Sequence, residues 1–474
     1  MRLVYEWETK EVVESFERAG NAFIERICQD WSAHNKECFL GTTVCDMVWP
    51  SLKVYNNSLS KNEASGQLCE TLRENTDMTI LPLDRMGQEQ GQSGTQSVLC
   101  YFAFHNPQAS GQTLYSLPII IKRGEAACDT RESKIKDEFQ RAKEISQYLR
   151  HSQTFVLPFY YYPDDCIEFL LSSSIVDYNG TSVSLTNGSI STLMDLLYQA
   201  EASHDESDME HIRGILHYIY RKLRYLHCGP NDLGEENSKC ELHYQEEYEK
   251  YLRHMTSEEE KKVFQKMWCN TEGNYGACGR DCPLQLLDEL LNLKHELHVG
   301  GLHGDVHPRN IVFLGKFSYE AYLIDYGWAN KRGHIAKDFV LMECNLRYMA
   351  LYPKLPDAER KLISGLIETD EIKSYLKENT GKKSYAAGIL VLIQDIREEF
   401  EQTIRQLDRM AEGSEIDGDT WLYEYYIPLF LITYGLAKFY DGCRNQIAMR
   451  ETIAAFTKFL MEKKSTWKGR GMDA

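Results

Sequence analysis

Two aspartates and an asparagine lie in one stretch of the chain, HGDVHPRNIVFLGKFSYEAYLIDYG, which runs from His303 to Gly327. Asp305 and Asn310 lie in its first turn, and Asp325 follows two short apolar runs that are typical of a hairpin. Phosphoryl transfer needs such groups, because a residue must orient or deprotonate the acceptor hydroxyl while ligands position magnesium. We expect Asp305 to act on the acceptor, and Asn310 and Asp325 to provide the hard oxygen ligands that Mg²⁺ prefers.

The spacing of these residues is more specific than any one of them. A single aspartate in such a place most often lines a polar turn or ends a strand. The combination of H-x-D-x-x-x-x-N, an apolar hairpin and D-Y-G is far more characteristic of a phosphotransfer site. The hairpin would also return Asp325 close to Asn310, which gives a geometric reason for their separation along the chain.

Two further residues occur earlier in the chain, in the order that this chemistry requires. Lys122 ends the apolar strand PIIIK, where a lysine could reach nucleotide phosphates. Glu138 lies on the helix that follows and could pair with Lys122 and fix its direction. Glu144 and Glu132 are alternative partners for the lysine.

A glycine-rich loop, GQEQGQSGTQ, joins the first two predicted strands. The backbone N–H groups of Gly91, Ser93 and Gly94 could cover phosphates. The loop departs from G-x-G-x-x-G, and glycine-rich hairpins are common, so this pattern is weak when taken alone.

The elements that must position these residues change character along the chain. Residues 1–78 form a mostly helical N-terminal extension, and residues 79–171 form a small antiparallel sheet with one helix. Residues 172–474 are mainly helical and contain an insertion at about 228–283, where the pair in CGRDC lacks the second pair typical of structural zinc sites. The expected fold class is α+β, with a small sheet lobe followed by a large helical lobe.

Composition excludes several classes of function. A formal net charge of −18 argues against nucleic-acid binding, which needs clustered Lys and Arg. The first residues show no apolar leader, and the 14 cysteines are irregularly spaced, so we expect reduced thiols and a cytoplasmic location. The most apolar stretch, residues 425–437, is too short to cross a membrane and predicts a buried helix.

The motifs HGDVHPRN and LIDYG resemble those of the aminoglycoside phosphotransferase and choline kinase group, within the protein-kinase-like superfamily. The later sequence KDFVLMECNLRYM is also similar to the phosphotransferase-like "ternary complex associated" domains. The resemblance runs from about Thr79 to Tyr440. It implies a bilobal protein-kinase-like fold with ATP and Mg²⁺ in the cleft and with adenine against a linker near Phe169 to Ser172.

The chain also departs from protein kinases within that superfamily. Gly304 stands where protein kinases usually have arginine, no A-P-E motif follows DYG, and Asp338 comes only thirteen positions after Asp325. These departures favour a kinase of a small hydroxylated molecule. The alternative is a nucleotide-binding regulatory module without turnover, with protein partners that could bind the N-terminal extension.

Overall fold

The structure is a computed structural model. The residues that it describes are 10–32, 74–82, 96–105, 113–126, 133–146, 148–149, 154–173, 190–203, 205–229, 238–252, 283–314, 320–351, 354–379, 384–410 and 415–468. The predicted phosphate loop with Gly91, Ser93 and Gly94 lies outside them. The chain divides into two compact units, residues 1–191 with 312–318 and 322–329, and residues 192–311 with 319–321 and 330–474.

A five-stranded antiparallel sheet lies at the centre of the first unit, in the order β1-β2-β3-β5-β4. Its strands are β1 (Thr76–Pro82), β2 (Gln96–His105), β3 (Thr113–Glu125), β4 (Pro158–Asp164) and β5 (Ile167–Ser173). The short apolar runs between turn-forming residues are these strands, so the predicted antiparallel sheet is confirmed.

Helices α1 (Lys10–Ser32) and α2 (Lys134–Ser146) pack against this sheet. Strand side chains alternate between the two faces, and the apolar core on one face includes Phe102 and Phe169. α1 covers that core with Phe16, whose ring lies 5.9 Å from Phe169, and with Phe23, whose ring lies 5.6 Å from Phe102. Because α1 buries its apolar stripe within the chain, this stripe is not available to a protein partner.

The hairpin that carries Asp325 belongs largely to the first unit. Its strands β9 (Ile311–Leu314) and β10 (Ala321–Leu323) are neighbours in a small sheet that also contains β6 (Ile190–Thr192). The Leu323 N–H donates to the Thr154 oxygen at 2.8 Å, and the Val156 N–H donates to the Leu323 oxygen at 3.0 Å. These long-range bonds join residues 322–329 to the first unit, although they are distant from it along the chain.

The second unit is mainly helical. Its helices are α3 (Leu193–Ser203), α4 (Glu206–Cys228), α5 (Tyr244–Leu252), α6 (Pro283–Leu291), α7 (Lys337–Cys344), α8 (Asp357–Gly365), α9 (Thr369–Glu378), α10 (Tyr385–Leu407), α11 (Gly418–Thr420), α12 (Ile427–Leu436), α13 (Gln446–Glu462) and α14 (Lys464–Lys468). Two π-helical turns, Asn345–Met349 and Trp421–Tyr426, extend α7 and precede α12, and the 3₁₀ turn Ala437–Gly442 follows α12. A small sheet holds β7 (Lys239–His243), β8 (Lys294–Leu302) and β11 (Asn330–His334), in the order β11-β8-β7.

A buried carboxylate connects several helical segments at the centre of the second unit. Glu343 on α7 accepts hydrogen bonds from Arg397 of α10 at 2.7 and 2.9 Å, from Arg347 at 2.8 Å and from the Tyr425 hydroxyl at 2.7 Å. The two arginines also donate to backbone carbonyls near the junction of α8 and α9, including that of Ile367. This network links α7 and α10 to the junction of α8 and α9.

The α+β fold class predicted from the sequence is confirmed, with one unit built on a five-stranded antiparallel sheet and a second unit that is mainly helical. The apolar stretch at 425–437 is a buried helical segment, as predicted. None of the helices in the described part of the chain has the length and apolar character needed to span a membrane.

Candidate functional site

Lys122 is the centre of the cluster in the first unit. Ile119 and Ile121 of β3 point into the core under α1, so alternation along the strand places Lys122 on the opposite face. Its Nζ lies 2.6 Å from Glu138 Oε2 and 3.5 Å from Asp325 Oδ2. The lysine is therefore held between two carboxylates.

The helix α2 presents Glu138 from its buried stripe, between Ile135 and Ala142. Glu144, one of the alternative partners, is exposed, and Glu132 lies outside the described residues. The Lys122 and Glu138 side chains are 18% and 8% exposed, so their ion pair is shielded from solvent. Glu138 also accepts a hydrogen bond from the backbone N–H of Tyr326.

The two carboxylates determine the charge state of the lysine. Burial alone would lower the pKa of Lys122, but Glu138 and Asp325 raise it by a larger amount. Lys122 is therefore a cation at neutral pH. A nucleotide phosphate would meet a positive group whose direction is already set by Glu138.

Asp325 is the more open of the two carboxylates. Its side chain is 38% exposed, its Oδ2 faces Lys122, and its Oδ1 accepts the Gly327 N–H at 3.3 Å. The backbone φ of Asp325 is 68°, in the left-handed region that aspartate tolerates better than most residues. The carboxylate is thus exposed on a tight turn, with hard oxygen atoms that suit Mg²⁺.

Asp305 and Asn310 lie together on one loop of the second unit. The Asn310 side-chain nitrogen donates to the Asp305 backbone oxygen at 3.0 Å and to Asp305 Oδ2 at 3.1 Å. This use of the amide nitrogen leaves the amide oxygen of Asn310 as its atom for a metal. The bond to Oδ2 restricts the Asp305 carboxylate and leaves Oδ1 as the oxygen better suited to an acceptor hydroxyl.

Asp338, at the start of α7, holds the backbone of this loop. Its fully buried carboxylate accepts the N–H groups of His303 at 3.1 Å and Gly304 at 2.7 Å, and His227 Nε2 at 3.0 Å. The φ of Gly304 is 80°, which a residue with a Cβ adopts only with strain. Asp338 and His227 were missed as site residues from the sequence, because their roles depend on a contact across 111 residues.

A second buried polar network lies in the same unit. Glu424 accepts from His298 Nδ1 and from His334 Nε2, both at 2.8 Å, while His298 Nε2 lies 2.9 Å from Asp408 Oδ1. The two histidines hold the pKa of Glu424 at about 2, although burial by itself would raise it. Burial would lower the pKa of His298, but its bonds to Glu424 and Asp408 raise it overall. The two carboxylates thus favour the protonated form of His298.

The two residues predicted to lie near adenine, Phe169 and Ser172, are both on β5. Phe169 is completely buried in the core between Phe16 and Tyr162, so its side chain supports the sheet, and Ser172 is half-buried near the end of β5. Their role near adenine stays a prediction, as do the roles of the phosphate-loop residues. In the described residues, no three His, Cys, Asp or Glu side chains are arranged to hold a metal ion, and both cysteines of CGRDC lie outside that part.

No protein-family model matches the chain, and no curated protein matches it. Among solved structures, it is similar to the aminoglycoside phosphotransferase APH(3'')-Id from Streptomyces rimosus, with 13% identity, coverage of 65% of this chain and 93% of that chain, and a TM-score of 0.30. It is also similar to an aminoglycoside-3'-phosphotransferase of type VIII, with 11% identity, coverage of 74% and 99%, and a TM-score of 0.28. At these values neither structure establishes the family or the activity of this chain.

Proposed function

We propose that this protein is an ATP- and magnesium-dependent phosphotransferase of the aminoglycoside phosphotransferase and choline kinase type, acting on a hydroxyl of a small molecule. The observation that carries the proposal is the buried Lys122, 2.6 Å from Glu138 and 3.5 Å from Asp325. A core that only needed packing would not bury a lysine and the carboxylate of Glu138, because their desolvation is costly. Binding of nucleotide phosphates by Lys122 would account for this arrangement.

In this proposal the first unit binds the nucleotide. Lys122 neutralises phosphate charge, and Glu138 keeps the lysine in place before the nucleotide arrives. The exposed oxygens of Asp325 fit a Mg²⁺ ion, and the amide oxygen of Asn310 keeps its predicted role as a metal ligand. When bound, the ion would neutralise the charge that develops on the transferred phosphoryl group.

Asp305 acts on the acceptor. The acceptor oxygen attacks the γ-phosphorus, the bond to the bridging oxygen breaks, and ADP leaves with that electron pair. The acceptor proton passes to the Asp305 carboxylate, through the oxygen that Asn310 does not hold. Asp338 keeps the loop in place through its bonds to His303 and Gly304.

A small acceptor and a reducing, cytoplasmic setting are part of the proposal. Gly304 has no side chain to pair with a phosphate, and the segment from Asp325 to Asp338 is too short for a long regulatory loop. The described cysteines are free thiols, which supports a reducing setting.

The first test measures Mg·ATP affinity by calorimetry. Asp325→Ala should abolish magnesium-dependent binding without unfolding the chain, because this exposed turn carboxylate supports little of the core. Asp77→Ala is the matched control, because Asp77 is an exposed aspartate on the edge strand β1, where it lies 3.0 Å from His105. Unchanged affinity in a folded Asp325→Ala protein would remove Asp325 from the site.

The second test measures ATP consumption against pooled hydroxylated metabolites and aminoglycosides. Asp305→Asn should lose turnover by several orders of magnitude and still bind Mg·ATP, because the effect lies on the transition state. Equal, slow ATP hydrolysis in both proteins, with no acceptor in any pool, would instead support the regulatory alternative.

A further inference from the structure

Glu168 is a buried carboxylate that the reaction does not use. It lies on β5 with 5% exposure and accepts hydrogen bonds from the hydroxyls of Ser133 and Tyr161, the latter at 2.8 Å. Burial, followed by the bond to Glu168, raises the pKa of Tyr161, so its hydroxyl stays protonated and can donate. Ser133 in turn caps α2, since its Oγ accepts the Lys136 N–H at 2.9 Å.

Glu168 lies on the same face of the sheet as Lys122. In the pairing of β3 with β5, Lys122 is opposite Leu170, and Gly124 is opposite Glu168. The two attachment points are thus two residues apart along the strands, about 7 Å. Ser133 directly precedes α2, and Glu138 lies five residues further along the chain. The bond of Ser133 to Glu168 and the ion pair of Glu138 with Lys122 are both present, so α2 contacts this face of the sheet at two points.

We propose that Glu168, together with Ser133 and Tyr161, is a positioning device that fixes α2 so that Glu138 faces Lys122. Phe139 of α2 stacks on the Tyr161 ring at 5.9 Å, which adds an apolar contact beside the hydroxyl bond. The bond of Ser133 to Glu168 holds the N-terminus of α2 independently of the ion pair between Lys122 and Glu138. Further along the helix, Arg141 donates to the Ala329 oxygen at 3.4 Å. This inference rests on the proposed function for its consequence in nucleotide binding.

Variants of Ser133 separate this positioning role from simple helix capping. Aspartate is as good an N-cap as serine, but it cannot donate to Glu168 and would place a second carboxylate beside it. At pH 8, Ser133→Asp should therefore weaken Mg·ATP binding about tenfold, the effect of losing one hydrogen bond to a charged group. Ser133→Thr, whose hydroxyl can both cap α2 and donate to Glu168, should keep most of the wild-type affinity. Ser146→Ala, at the far end of α2, is the matched control and should not change it.

A double-mutant cycle then distinguishes positioning from general destabilisation. If the device acts only through Glu138, Ser133→Asp should cause no further loss of affinity when Glu138→Gln is already present. Additive losses in the double variant would overturn the proposal. Equal affinities of the wild-type protein and Ser133→Asp would also overturn it.

Hydrogen exchange on the nucleotide-free protein provides a readout that does not depend on activity. Ser133→Asp and Glu168→Leu should speed exchange of the α2 amides and increase acylation of Lys122, as measured by mass spectrometry, relative to Ser133→Thr. If the wild-type protein binds no Mg·ATP, the proposed function fails, while exchange and acylation still decide whether the device fixes α2. Unchanged exchange and acylation in both variants would show that it does not.

Discussion

Replacing Asp338 tests whether one buried carboxylate holds the loop that carries Asp305. Three donors meet this carboxylate: the backbone N–H groups of His303 and Gly304, and the imidazole of His227. Each buried donor left without an acceptor costs about 1–3 kcal/mol. Asp338→Asn keeps one acceptor oxygen and should lower the free energy of unfolding by about 2–3 kcal/mol. Asp338→Ala removes every acceptor and should cost more than about 3 kcal/mol.

Urea unfolding followed by tryptophan fluorescence can measure these changes, because Trp421 and Trp467 both lie in the second unit. The matched control is Asp357→Asn. Asp357 pairs with Arg360, but its own side chain is 79% exposed, so the loss should be much smaller. A loss for Asp338→Asn no larger than that of the control would refute the idea that Asp338 anchors the loop.

Three further changes probe the second unit. The pKa of Glu343 is lowered to about 2, so its ionised form contributes about 3 kcal/mol to the free energy of unfolding above the ordinary glutamate pKa. This contribution is lost as pH falls toward 2. When stability is measured in an acid titration, Glu343→Gln should lack this loss. The pKa of His298 is raised, so its protonated form adds to the free energy of unfolding fully below about pH 6.5, and this addition is lost as pH rises through the folded-state pKa. The free energy of unfolding of His298→Gln, measured over the same pH range, should not show this decline. Gly300→Ala would place a Cβ 2.1 Å from the His227 backbone oxygen and should lower stability by about 1–3 kcal/mol in urea unfolding, whereas Gly365→Ala, with open space around it, should not.

Local sequence patterns were sufficient to predict most elements of the first unit. Apolar runs bounded by turn-forming residues predicted the strands, and the spacing of Ile135, Ala142 and Ile145 predicted α2. The same patterns placed Lys122 on a strand and Glu138 on the next helix, although the strand continues beyond Lys122 to Glu125. These inferences succeeded because strand and helix periods are properties of neighbouring residues.

Sequence alone therefore determined the order of the elements and the types of residue available for chemistry. Tertiary structure decided which of them meet: Asp338 with the loop that carries Asp305, Leu323 with Thr154, and Glu168 with Ser133. It also placed α1 against the core of the sheet, where the sequence predicted only a mostly helical extension. The physical reason is distance along the chain. Buried polar groups must find partners wherever the fold brings them, and no local period encodes a bond between residues 35 or 111 positions apart.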